Sequence, residues 1–163
     1  DPRRAADLIG TLRRVTSLPI IAKLTPNITD ITEIATHVEE AGADAISAIN
    51  TIRGMAIDIS TRRPKLGAIM GGLSGPAIKP VAIAAVYQVA KRVRIPVIGI
   101  GGISSAEDAL EFMIAGATAV QIGTANFVEP RTGATVVDGL AAWCTASDVP
   151  AIREVIGRME LPS

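Results

Sequence analysis

Two short apolar runs, each stopped by a glycine turn and joined by one helix, constrain this chain most. Residues 96–100 read Pro-Val-Ile-Gly-Ile and end at Gly101-Gly102; residues 119–122 read Ala-Val-Gln-Ile and end at Gly123-Thr124. Runs this short and this apolar suit strands buried on both faces of a parallel sheet. Between them, Ser104 predicts an N-cap with Glu107 completing a capping box, a helix to about Ala115, and Gly116 at its left-handed exit. Glycine lets backbone N–H groups come close to an anion. The turns after the last two strands of a (β/α)8 barrel commonly form a phosphate site. Either turn alone reads equally well as a tight βα connection; two in consecutive units favour the phosphate site.

Composition agrees with that layout. Hydrophobic residues make up 48% of the 163, yet aromatics only 2%, so the core is aliphatic, as in strands wrapped by helices. Sixteen basic residues balance sixteen acidic ones, and no basic stripe or stacking series points to nucleic acid. The single Cys144 excludes an intrachain disulfide and a multi-cysteine metal site. No apolar run reaches membrane-spanning length and no signal peptide is visible, so a cytoplasmic protein without a membrane partner is expected.

The chain opens on Asp1-Pro2, a helix start that predicts a helix to about Arg14 and a strand over 18–24. Lys23 is the odd member of that strand. Either it snorkels at the sheet end, or its ammonium sits in a barrel mouth facing an anionic or polarised ligand. Thr25-Pro26-Asn27 breaks the strand, and residues 30–41 read as a helix with Ile31, Ile34, Ala35 and Val38 inward and His37 on the polar side. Gly42 closes it. A strand over 45–50 ends in Asn50-Thr51, where an amide and a hydroxyl either make a simple turn or read donors and acceptors on a flat heterocycle.

Residues 51–80 are long for a βα connection. A short ribbon pairing 57–59 with 68–70 is expected over the mouth, with Gly75 allowing close passage of a bound ring. A helix over 79–93 should face Val81, Ala85, Val89 and Ala90 inward. After Thr124, residues 126–133 read as a loop, 134–145 as a helix carrying Trp143 and Cys144, and 149–158 as a last helix. Cys144 lies away from any strand end and reads as packing. The strand ends at Lys23, Asn50, Gly101 and Gly123 are separated by 27, 51 and 22 residues. Four βα units with an insertion after the second strand are half of a (β/α)8 TIM barrel. Residues 1–163 are therefore expected to be its C-terminal half, the other half lying upstream.

Motifs occur in order: Lys23-Leu24-Thr25-Pro26-Asn27; Ile49-Asn50-Thr51 with Arg53-Gly54-Met55-Ala56-Ile57-Asp58; Gly71-Gly72-Leu73-Ser74-Gly75-Pro76-Ala77; Ile100-Gly101-Gly102-Ile103; Gln121-Ile122-Gly123-Thr124-Ala125. In these the chain closely resembles the C-terminal half of dihydroorotate dehydrogenase, its wording nearest the bacterial NAD-linked class. The resemblance implies FMN in a barrel that oxidises dihydroorotate to orotate in pyrimidine synthesis. It places Lys23 near the flavin N1/C2 carbonyl, and Ile49 and Gly75 against the flavin or its ribityl chain. It gives the FMN phosphate to Gly101, Gly102, Gly123 and Thr124, and the substrate to Asn50 and Thr51. The family's catalytic base, a cysteine in this class, belongs to the first half, so no catalytic residue is expected here and Cys144 does not match. The resemblance also implies a homodimer of the full barrel and a partner subunit that carries FAD and a 2Fe–2S cluster and passes electrons to NAD. One cysteine in this chain cannot ligate such a cluster.

Two enzymatic alternatives share the motifs: the fumarate-linked class and the pyrimidine-reducing domain of a dihydropyrimidine dehydrogenase. A third is of another kind, a half-barrel that binds FMN or phosphate without turnover and closes its open sheet edges against a second copy.

Overall fold

The computed structural model describes residues 1–162. Its helices are α1 (Pro2–Val15), α2 (Ile31–Glu40), α3 (Lys79–Ala90), α4 (Ala106–Ala115), the single turn α5 (Ala125–Val128) and α6 (Thr132–Ala146). Its strands are β1 (Ile21–Leu24), β2 (Ala45–Ala48), β3 (Ile52–Gly54), β4 (Ile57–Asp58), β5 (Arg63–Pro64), β6 (Gly71–Leu73), β7 (Val97–Ile100) and β8 (Ala119–Gln121). β1, β2, β7 and β8 form one parallel sheet in that order, as the four expected units require. The long excursion between β2 and α3 forms two antiparallel ribbons, β3 with β6 and β4 with β5.

The sheet is covered by helices on one face. Ala22, Leu24, Ile46, Ala48 and Val97 are buried there against Ile34, Val38, Val86, Val89 and Phe112 from α2, α3 and α4. Successive strand residues point to opposite faces. The other face therefore carries Ile21, Lys23, Ser47, Ala119 and Gln121, all exposed except Ser47. Ser47 is buried and donates its hydroxyl to Gln121 Oε1 at 2.9 Å.

Local chemistry sets the element ends. Asp1 accepts from the N–H groups of Arg3 and Arg4 and starts α1. Arg13, in the last turn of α1, donates to the Gly42 carbonyl and pairs with Asp44, which accepts the Ile20 N–H at 2.7 Å. That junction fixes α1 against the turn between α2 and β2. Glu39 Oε1 accepts the N–H groups of Arg94 and Ile95, fastening α2 to the loop before β7. Gly116 leaves α4 at φ 123, a conformation only glycine adopts readily.

Several expectations are corrected. The first strand begins at Ile21 because Pro19 offers no N–H to a ladder. The ribbon pairs 57–58 with 63–64, since the tight turn at Asp58, Ser60 and Thr61 closes before 68–70 is reached. The α3 helix ends at Ala90 and buries Ala82 and Val86, while Val81 is 47% exposed. The α4 cap is Ser105 with Asp108, one residue later than Ser104 with Glu107. Residues 125–128 form a helical turn within the expected loop, and the last helix shrinks to a 3-10 turn, Ile152–Val155. Among the described residues no helix is long and apolar enough to cross a membrane.

Candidate functional site

The carboxyl ends of the parallel strands open into one cleft of about 140 Å3. β1 contributes Lys23; the segment after β2 contributes Ile49, Asn50 and Thr51; the loop after β6 contributes Ser74 and Gly75. The turns after β7 and β8 contribute Gly101, Gly102, Gly123 and Thr124. All nine residues singled out from the sequence line this cleft. A second cavity, about 270 Å3, adjoins it, sharing Gly75, Gly102, Gly123 and Thr124 and reaching Ser104, Glu129 and Thr132.

The N–H groups of Gly102, Ile103, Gly123 and Thr124 have no partner among the described residues. Unpaired backbone donors are costly unless water or a ligand satisfies them, and four of them on two neighbouring turns suit an anion with several oxygens. A side chain on Gly123 would meet nothing within 4 Å, so that backbone faces open space. Gly102 is different: at φ 77, an added Cβ would lie 2.8 Å from the Gly75 carbonyl oxygen. The turns after β6 and β7 therefore touch backbone to backbone.

Asp108 holds the turn after β7. Its Oδ2 accepts from the N–H groups of Ser104 and Ser105 and the Ser104 hydroxyl, at 2.8 to 3.0 Å. Its Oδ1 accepts from Lys79 Nζ at 2.6 Å. Burial alone would raise the Asp108 carboxyl, but the Lys79 ammonium and the Ser104 donors outweigh it and hold the pKa at about 2. Asp108 and then Glu111 raise the Lys79 ammonium in turn. Thr124 Oγ1 donates to Ser74 Oγ at 2.8 Å, bridging the turns after β6 and β8.

At the other end of the cleft, Lys23 has no ion-pair partner among the described residues, so its charge is free for a ligand. Asn50 Oδ1 accepts the Thr51 N–H at 2.9 Å, which leaves the amide N–H groups of Asn50 to donate elsewhere. Among the described residues, the lining of this first cleft holds one ammonium, one amide and three hydroxyls, with no carboxylate, imidazole or thiol. Such a set binds and polarises a carbonyl-rich or anionic ligand; it offers no general base. Cys144 lies on α6, half-buried and outside the cleft. His37 bonds through Nδ1 to the Glu33 carbonyl on α2, also away from the cleft.

Sequence reading missed Ser74, Ile78 and Ile100 in the lining. Ser74 had a visible signal, lying beside Gly75 in the Gly-Leu-Ser-Gly-Pro run. Asp108 had none beyond its place three residues after Ser105.

Residues 1–143 match the family described as dihydroorotate dehydrogenase. The chain is 53% identical over 161 residues to the "Dihydroorotate dehydrogenase B (NAD(+)), catalytic subunit" of Geotalea daltonii, covering 99% of this chain and 53% of that one. Relatives of the same name match at 50% in Caldicellulosiruptor bescii, over 99% of this chain and 54% of the relative, and at 54% in Trichlorobacter lovleyi, over 98% and 53%. The chain spans about half the length of the curated relatives it matches.

Proposed function

Since the chain belongs to the dihydroorotate dehydrogenase family, we propose that its cleft is the FMN and substrate site of an enzyme that oxidises dihydroorotate to orotate in pyrimidine synthesis. The observation that carries this reading is the convergence of an unpaired lysine, a free amide and two turns of unpaired backbone N–H groups on two adjoining cavities that share Gly75, Gly102, Gly123 and Thr124. The residues fit the group. Gly101, Gly102, Gly123 and Thr124 hold the phosphate, Ile49 and Gly75 lie against the ring or ribityl chain, and Lys23 holds the polar edge of the flavin. Bound there, FMN supplies the hydride acceptor.

Each protein group has a physical task. The Lys23 ammonium favours the negative charge that reduction brings to the site, and a fixed charge in place before reaction costs no reorganisation. Asn50, its carbonyl already occupied by Thr51, turns its N–H groups to the carbonyl or carboxylate of the pyrimidine. Thr51 supplies a hydroxyl that donates or accepts. The proton leaving substrate C5 needs a base within hydrogen-bond reach, and no group of the cleft lining serves. We therefore assign the base to another segment, which joins this one in a complete (β/α)8 barrel of which these four units are the C-terminal half. The exposed inner face of the sheet, Ile21, Lys23, Ala119 and Gln121, suits a barrel interior.

The relatives' printed name favours the NAD-linked class over the fumarate-linked one. In this reading the barrel dimerises in the cytoplasm and passes its electrons to NAD through a partner subunit that carries FAD and a 2Fe–2S cluster. The test is anaerobic mixing of the intact protein with dihydroorotate. Bleaching of flavin absorbance with formation of orotate supports the reading; a flavin that stays oxidised rejects it.

A further inference from the structure

We infer that Asn27 is a positioning residue that sets the geometry of the Asn50–Thr51 pair; the inference rests on the reading that this pair binds substrate. Asn27 follows β1, and its side chain does not line the cleft. Its amide instead crosses to the segment after β2. Nδ2 donates to the Thr51 carbonyl at 3.0 Å, and Oδ1 accepts the Arg53 N–H at 2.8 Å. The orientation is forced, because a peptide N–H only donates and a peptide carbonyl only accepts. Thr25 holds the amide in place: its Oγ1 accepts from Asn27 Nδ2 at 3.1 Å and from Asn27 N at 3.2 Å.

The two bonds across the gap grip the chain on both sides of Ile52. That is where it needs gripping. β2 ends at Ala48 and β3 has only three residues; the Asn50 N–H still donates to the Leu24 carbonyl at 2.7 Å, and Thr51 follows it outside either strand. From the other side, β6 closes on the same residue. Arg53 pairs with Gly72, and a Cβ on Gly72 would lie 2.7 Å from Thr51 Cβ. Thr51 is thus held between the Asn27 amide and a bare glycine backbone. An amide on the loop after the neighbouring strand decides where the substrate-reading groups stand, without touching substrate itself.

The test measures orotate and FMN affinity of the intact protein and of Asn27→Ala, Asn27→Asp and Asn50→Ala/Thr51→Ala. Asn27→Asp keeps the acceptor for Arg53 and removes the donor to Thr51. Losing two hydrogen bonds predicts orotate binding weakened about tenfold in Asn27→Ala and at least as much in Asn27→Asp, whose carboxylate sets an acceptor against the Thr51 carbonyl, with FMN affinity within about twofold of the parent. In the Asn50→Ala/Thr51→Ala background, Asn27→Ala should add nothing, because it acts through those residues. Unchanged orotate affinity in Asn27→Ala, an undiminished effect in that background, or parallel loss of FMN overturns the inference. Should Asn50→Ala/Thr51→Ala itself leave orotate affinity unchanged, the substrate reading falls and this inference with it; loss there without loss in Asn27→Ala rejects this inference alone.

Discussion

Lys79 Nζ donates to Asp108 Oδ1 across 2.6 Å, tying the start of α3 to the start of α4. The Asp108 side chain is 14% exposed and that of Lys79 25%, so solvent screens the pair only in part. Because the other carboxylate oxygen holds Ser104 and Ser105, one residue fixes the glycine turn after β7 relative to the loop after β6. The walls of the proposed phosphate site are therefore set by a charge pair outside it.

Asp108 falls from 3.8 to about 2 on folding, a depressed pKa. Its contribution, on the order of 2 kcal/mol, is complete above pH 4 and is lost as pH falls through about 2. Asp108→Asn should lower the unfolding free energy at pH 7 by about that amount, and the gap between variant and parent should close near pH 2. Urea unfolding across pH 2–7 measures it; a gap independent of pH contradicts the assignment. Lys79, whose pKa is raised, works in the opposite sense: its contribution is present below pH 10.5 and fades only as pH rises beyond that value.

Two glycine substitutions should separate fold from ligand. Gly123→Ala adds a methyl where nothing lies within 4 Å, so thermal stability should stay near the parent while FMN affinity falls. Gly102→Ala forces alanine to φ 77 against the Gly75 carbonyl and should cost about 1–3 kcal/mol of stability as well as FMN. Calorimetry with flavin fluorescence titration reads both. Equal destabilisation by the two substitutions would contradict the geometry.

Lys23→Ala should slow flavin reduction by dihydroorotate more than it weakens FMN binding. In the proposed site the lysine would act on charge that develops during reaction, whereas the phosphate would stay held by the backbone. Stopped-flow reduction rates set beside FMN dissociation constants decide; an unchanged rate removes the electrostatic role.

Phe112, fully buried on α4, packs against the bare backbone of Gly99 in β7. Phe112→Ala should cost about 3–5 kcal/mol in urea unfolding. A loss under 1 kcal/mol would mean the helix layer does not rest on the sheet as described.

The parallel sheet and the gathering of residues around one cleft were legible because they depend on where strands stop. Apolar runs ending at Asn50, Gly101 and Gly123 mark those stops directly. The excursion after β2 was not legible. Its two ribbons depend on pairing across distance, Gly71–Leu73 returning to Ile52–Gly54, and neither partner is long enough to carry a period. The α4 cap slipped by one residue because Ser104 and Ser105 both precede an acidic residue at capping distance, and only the Asp108 contacts choose between them. Val81 misled for a similar reason: α3 is apolar nearly all round, so its pattern does not say which side faces the sheet.

A crystal structure of the intact protein with FMN and orotate decides where the flavin sits. The phosphate should lie on the N–H groups of Gly102, Gly123 and Thr124, the Lys23 ammonium at the flavin's polar edge, and orotate on the Asn50 amide. A flavin bound away from Lys23, or a phosphate held by side chains elsewhere with those N–H groups facing water, would contradict this placement.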